Sequence, residues 1–259
     1  MNILEKIITD KKREVILKKS IIPVSQLENS VLFERKTISL SNNLRNSNTG
    51  IIAEHKRRSP SKPNINNSFT VEEVVKGYQN AGVCGISVLT DGKYFGGSLD
   101  DLLLARVSVN IPLLRKEFII DEYQILEAKA HGADLILLIA AVLTREEIKH
   151  LSEFAKALSL EVLLEVHNSE ELQKSIMPSL DIIGVNNRNL KSFEVSLDYS
   201  KQLANEIPNE FVKISESGIS TIEAIQELKP YGYKGFLIGE NFMKTNNPGE
   251  SANEFIKNL

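Results

Sequence analysis

Residues 51–61 read IIAEHKRRSPS, a short apolar run that turns abruptly into charge. Ile51, Ile52 and Ala53, bounded upstream by Gly50, have the character of a buried strand. Side chains alternate across a strand, so Glu54 and Lys56 share one face while Ala53 and His55 share the other. An acid and a base at the end of an apolar strand are costly to seal in. They predict a cleft there, where opposite charges shift each other's pKa.

Downstream the same pattern recurs: an apolar run, a loop, a helical stripe, then the next run. The runs are Ile51 to Ala53, Gly85 to Leu89, Ile111 to Leu114, Leu135 to Ile139, Val162 to Val166, Ile182 to Val185, Phe211 to Ile214 and Gly235 to Ile238. Stripes such as Val71, Val74, Val75 and Tyr78, or Ile148, Leu151, Ala155 and Leu158, lie between them. Eight units over about 210 residues predict an α/β fold, a single (β/α)8 TIM barrel spanning residues 50–259. No Gly-x-Gly-x-x-Gly turn follows the first strand, which argues against a dinucleotide-binding open sheet. Residues 1–49 read as an N-terminal helical extension to that one domain: Ile3, Leu4, Ile7 and Ile8 make a helical stripe, Pro23 interrupts it, and a further short helical stretch follows. Ser39 to Gly50 is polar and rich in turn formers.

With 259 residues, 42% hydrophobic and 25% charged, the chain can bury a large core. A formal charge of -3 gives no reason to expect nucleic acid or an anionic membrane as partner. Cys84, the single cysteine, sits in the apolar VCGISVL and reads as a core residue in a reducing compartment. No apolar run has the length of a membrane span, and MNILEKIITDKKREVILKK is charged too early for a secretory signal, so a cytoplasmic location is expected.

In such a barrel the site lies at the C-terminal ends of the strands. Those ends carry Glu54 and Lys56; Arg115, Lys116 and Glu117; Glu165 and His167; Asn186, Asn187 and Arg188; Ser215, Glu216, Ser217 and Gly218; Gly239 and Glu240. Lysines and carboxylates converging from different strands predict acid–base chemistry. The histidines, His55, His131, His150 and His167, are scattered without metal-ligand spacing, so no metal is expected. In SESGIS and LIGENFM a glycine stands where a helix or loop begins, which suits a phosphate. Gly218 and Gly239 are equally readable one by one as turn glycines; their pairing at the last two strands favours phosphate.

The chain resembles the indole-3-glycerol-phosphate synthase family. The matching stretches are AEHKRRSPSK (53–62), SVLTDGKYFGGSLDDL (87–102), PLLRKEFIIDEYQILEAKAHGADLILLI (112–139), LLEVHNSEEL (163–172), IGVNNRNLKSFEV (183–195), SESGI (215–219) and FLIGENFM (236–243). The resemblance implies ring closure of 1-(2-carboxyphenylamino)-1-deoxyribulose 5-phosphate to indole-3-glycerol phosphate, releasing carbon dioxide and water without a cofactor. It implies that Lys116 is the main general acid, that Lys56 binds the carboxylate and shares the acid work of dehydration, and that Glu165 is the base or stabilises positive charge. Glu54 would hold Lys56 or relay a proton, Asn186 and Glu216 would position hydroxyls and the amine, and Arg188 would assist the carboxylate. Ser59, Ser217, Gly218, Gly239 and Glu240 correspond to phosphate positions, Glu240 through its backbone N–H. Phe95 would pack on the aromatic ring.

The sequence departs from the family at His55, usually apolar and here expected to be a hydrogen-bonded histidine in the barrel wall. Pro63 stands where glycine is common, which predicts a stiffer loop. His167 reads equally as structural or as bordering the site. A phosphoribosyl isomerase relative would use a cysteine–aspartate or aspartate pair, which the strand ends lack. A non-catalytic sugar-phosphate-binding barrel would have lost Lys56, Lys116 or Glu165. A monofunctional chain is expected, a monomer by default and a weak homodimer as the alternative.

Overall fold

The computed structural model describes residues 3–189 and 194–259. Residues 190–193 of the quoted IGVNNRNLKSFEV stretch, and Met1 and Asn2 of the extension, lie outside them. Three helices come first: α1 (Ile3–Ile21), α2 (Val24–Glu28) and α3 (Leu40–Arg45). Then follow β1 (Ile51–His55), α4 (Val71–Asn80), β2 (Gly85–Leu89), α5 (Gly92–Phe95), α6 (Leu99–Ser108), β3 (Leu113–Lys116), α7 (Glu122–Ala130) and β4 (Leu135–Ile139). The second half holds α8 (Arg145–Ala157), β5 (Glu161–Val166), α9 (Ser169–Ser175), β6 (Ile182–Asn186) and α10 (Asp198–Leu203). It ends with β7 (Val212–Glu216), α11 (Ile222–Leu228), β8 (Gly235–Ile238), α12 (Glu240–Met243) and α13 (Pro248–Lys257).

All eight strands are parallel and close into a barrel in chain order, β8 pairing back onto β1 through Ile51 and Phe236, Ile52 and Leu237, Ala53 and Ile238. The two-residue period sorts each strand into two cores. Ile52, Leu114, Leu137, Leu163 and Ile214 fill the barrel, whereas Ile51, Ala53, Val88, Ile136 and Val162 pack outward against the helices. Each fully buried Leu or Ile contributes about 1.5–3 kcal/mol by leaving water. β1, β3, β6 and β7 continue past the ends of their apolar runs, because ladder pairing goes on beyond them: Leu89 pairs with Lys116, and Asn186 with Glu216. Charged side chains are therefore the last rungs of the sheet. β3 begins at Leu113, after Pro112, which has no N–H to donate and only accepts from Ile86.

Between Ser39 and Gly50 the structure corrects the expectation of a turn-rich run. Ser39 caps α3, and Leu40 and Leu44, four residues apart, point into the barrel and close its floor. The Glu161 carboxylate at the start of β5 accepts from the Leu40 and Ser41 backbone N–H groups at 2.8 and 3.0 Å, and from the Ser41 hydroxyl at 2.6 Å. Polar neighbours hid that apolar pair. At the other end α1 lies over the rim with Ile7, Lys11 and Val15 buried. The last helix, α13, packs on α4 so closely that a Cβ at Gly77 would stand 2.8 Å from the Gly249 Cα.

His55 also differs from expectation. It faces the helices, as alternation requires, but is 1% exposed and neither ring nitrogen has a hydrogen-bond partner among the described residues. Burial, and secondarily the Arg57 charge, push its pKa down to about 4. The neutral ring serves as filler where the family usually has an apolar side chain.

Two outcomes are expected. Leu44→Ala lowers the unfolding free energy by about 2–5 kcal/mol in urea titration; a loss under about 1 kcal/mol would contradict the closed floor. His55 takes up its proton near the ordinary 6.5 when unfolded and near 4 when folded, so its contribution is complete above pH 6.5 and drains away as pH falls. Between pH 7 and pH 4 the wild type should lose about 3 kcal/mol more than His55→Phe, and equal losses would show that the ring is not buried neutral.

Candidate active site

The C-terminal ends of the strands surround a cavity of about 440 Å³. The residues given roles by the family resemblance line it: Glu54, Lys56, Ser59, Phe95, Lys116, Glu165, Asn186, Arg188, Glu216, Ser217, Gly218, Gly239 and Glu240. Of the other polar strand-end residues, Arg115 turns outward onto Gln124 and Glu127 of α7, and Asn187 and Ser215 are buried against Ser200 of α10, so none of these three reaches the cavity.

Its floor is a buried charge cluster assembled by strand register. Lys116 Nζ lies 2.5 Å from Glu216 Oε2 and 3.3 Å from Glu165 Oε2. Lys56 Nζ lies 2.7 Å from Glu54 Oε1, two residues along the same strand face. Asn186 Nδ2 donates to Glu165 Oε1 at 3.1 Å. Burial works to lower the pKa of Lys116, but Glu216, Glu165 and Glu54 together reverse this and raise it, so its ammonium is charged at neutral pH. Burial also works against ionised Glu165, yet Lys116 and His167 outweigh it and lower its pKa. Glu216 goes the other way: burial, reinforced by the neighbouring Glu165, outweighs the Lys116 contact and pushes it up to about 7. Two carboxylates on one ammonium thus differ in readiness to hold a proton. Glu216 Oε1 is buried without a hydrogen-bond partner among the described residues. Gly184 makes room for it, since a Cβ there would stand 2.5 Å from that oxygen. A glycine inside an apolar strand was the sequence sign of this close approach.

His167 borders the floor, Nε2 3.4 Å from Glu165 Oε1 and Nδ1 3.1 Å from Glu171 Oε2. Despite burial, those carboxylates raise its pKa. His131 bonds the Glu127 carbonyl and His150 pairs with Glu122, both away from the cavity. Cys84 is buried and unpaired. Among the described residues no cluster of three His, Cys, Asp or Glu side chains could hold a metal ion.

One end of the cavity is polar. Ser217 and Gly218 take left-handed backbone conformations, φ 66° and 77°, that turn the chain sharply after β7. Gly239 caps α12, and a Cβ there would stand 2.6 Å from Glu54 Oε1. The first N–H groups of α12, at Glu240 and Asn241, have no intrahelical acceptor. The acidic Glu240 side chain is tied to the Lys62 ammonium. Ser220 and Lys244 also line this end and were not singled out in sequence; Lys244 follows the α12 turn, one step past the motif.

The opposite wall is apolar. Phe95 and Phe118 have ring centroids 6.0 Å apart, and Ile3, Leu4 and Ile7 of α1 complete the wall with Leu137 and Ile139 inside the barrel. By resemblance the N-terminal helix is expected to help cover the substrate; which of its residues reach the cavity, and that Phe118 joins them, depends on the tertiary path of α1 over the rim and could not be read from the sequence.

Comparisons agree with this geometry. The sequence profile of the indole-3-glycerol phosphate synthase family matches residues 4–257. The indole-3-glycerol phosphate synthase of Bacteroides thetaiotaomicron is 48% identical over 256 residues, covering 99% of this chain and 98% of that protein. That of Caldanaerobacter subterraneus is 41% identical over 257 residues, covering 99% and 98%. Thiamine phosphate pyrophosphorylase from Pyrococcus furiosus shares the fold alone, with a TM-score of 0.59 at 16% identity over 85% of this chain and 96% of that one. By sequence along its whole length, the chain belongs to the indole-3-glycerol phosphate synthase family.

Proposed function

We propose that this cavity converts 1-(2-carboxyphenylamino)-1-deoxyribulose 5-phosphate into indole-3-glycerol phosphate, carbon dioxide and water. The observation that carries the reading is the charged Lys116 held between Glu216 and Glu165, with an apolar aromatic wall on one side and the β7 and β8 turns on the other. The substrate has the same three parts: a ring, a reacting ketose and a phosphate.

The aromatic ring packs on Phe95 and Phe118 under α1, and the phosphate lies against Ser59, Ser217, Gly218, Gly239 and the backbone N–H of Glu240. Lys56 and Arg188 hold the benzoate carboxylate. The ring carbon bearing that carboxylate attacks the ketose carbonyl carbon, and Lys116 gives its proton to the carbonyl oxygen. Carbon dioxide leaves with its bonding pair returned to the ring. In the dehydration a second proton, from Lys56, departs with the hydroxyl as water, and Glu165 takes the proton lost from the adjacent carbon. Two protons enter and one leaves, matching the negative charge lost with the carboxylate. Glu54 holds Lys56, while Asn186 and Glu216 position the hydroxyls and amine. Acid, base and charge neutralisation suffice, so no cofactor is required.

Residues 50–259 form one catalytic domain with 1–49 as its extension. The protein acts as a monomer in the cytoplasm: the reaction calls on no residue from a second copy, a buried free cysteine suits a reducing compartment, and among the described residues no helix is long and apolar enough to cross a membrane.

Continuous fluorescence of the indole product checks the reaction. Wild type should form product without added metal or cofactor, and Lys116→Ala should lose about 10²–10⁴-fold in kcat. Substrate binding without product would instead indicate a non-catalytic sugar-phosphate-binding barrel, and a mutant as fast as wild type would remove Lys116 from the acid role.

A further inference from the structure

Lys11 has no part in the chemistry above, yet it is the most completely buried end of α1's inward stripe. Its side chain is 2% exposed, and Nζ lies 2.7 Å from Glu14, 3.0 Å from Asp91 and 3.0 Å from Glu117. An ammonium has three N–H donors, and here each faces a carboxylate. Burial opposes its charge, but Glu117, Asp91 and Glu14 more than reverse this and raise its pKa.

Two of these partners lie far from α1 in sequence: Glu117 itself lines the cavity, and Asp91 opens the short helix whose last residue, Phe95, lines it. Asp91 caps α5 by accepting from the Tyr94 N–H at 2.6 Å, and α5 ends in Phe95. Glu117 follows Lys116 directly; one oxygen accepts from the Phe118 N–H at 2.9 Å and the other from the Thr90 hydroxyl at 2.8 Å. Asp10, next to Lys11 in α1, takes Lys93 at 2.7 Å and the Tyr94 hydroxyl as well. α1 itself carries Ile3, Leu4 and Ile7 to the cavity wall.

We propose that Lys11 is a positioning residue for the reaction: one buried ammonium fastens α1, the Phe95 segment and the Lys116 end of β3 into a single wall that clamps the substrate's ring and aims the acid. This rests on the proposed function. Without that charge Asp91 and Glu117 remain as two buried carboxylates with no shared cation, and the three segments lose their common point.

The test compares Lys11→Met, Lys11→Arg and Asp91→Asn with wild type by the fluorescence assay, below the melting temperature of each. Amide hydrogen exchange of residues 3–21 and 91–96 is measured on the same proteins without substrate. Lys11→Met should lower kcat/KM at least about tenfold with KM raised about threefold or more, and quicken exchange in both segments. Lys11→Arg, which keeps the charge, should recover to within about threefold, and Asp91→Asn should add little once Lys11→Met is present. A folded Lys11→Met with kcat and KM within about twofold of wild type overturns the proposal, as does faster exchange confined to residues 3–21, the mark of a mere helix anchor. Should Lys11→Met fail to fold, Asp91→Asn alone decides, and unchanged KM and exchange overturn it. If wild type makes no indole product the reaction reading fails, while exchange still tells whether Lys11 couples the two segments.

Discussion

Three buried carboxylates at the mouth of one barrel are tolerable only because two ammonium groups stand among them. Glu54, Glu165 and Glu216 are each almost wholly buried, and Lys56 and Lys116 are their nearest cations. Leaving any one charge without its partner would be strongly destabilising in such a place. The need for mutual neutralisation explains why strands continue into polar residues. Only the fixed geometry of a sheet ladder brings side chains from β3, β5, β6 and β7 within hydrogen-bond distance of one another, while Glu54 of β1 meets Ser87 of β2 beside them. It also makes the cluster responsive, because a ligand carrying its own anions must rearrange those pairs when it enters.

The extension serves the barrel at both ends. α3 closes the floor with Leu40 and Leu44, fastened by Glu161, while α1 lies over the rim and joins it through Lys11. A parallel barrel has a wide mouth by construction, and here a helix borrowed from outside the repeating units narrows it with apolar side chains.

Much of this was legible in the sequence. Uninterrupted apolar runs are the mark of strands buried on both faces, which is why β2, β4 and β8 begin and end where the runs do. Strand-end position in a barrel then brings the site residues to one cavity. What escaped the reading depended on tertiary placement. The pair Leu40 and Leu44 sits among serines and asparagines, and nothing local says that it enters a barrel. Phe118 looks like any aromatic after a strand until α5 and α1 are folded against it. His55 was expected to have hydrogen-bond partners because histidine is polar, but the helices around it offer none and the ring is held neutral instead. Glu240, an acid at a turn suited to an anion, becomes intelligible only when Lys62 is seen across from it.

The pairing of β1 with β8 ties residue 51 to residue 236, and α13 to α4. Such a contact spans most of the chain, so the loop it closes is among the longest in the molecule, and its entropy must be overcome late. During synthesis the first seven strands leave the ribosome with two raw sheet edges and a charge cluster not yet enclosed, exposed to any other chain nearby. The emergence of the last strand and helix does more than complete the cavity: it ends the period in which the nascent protein is open to misassembly.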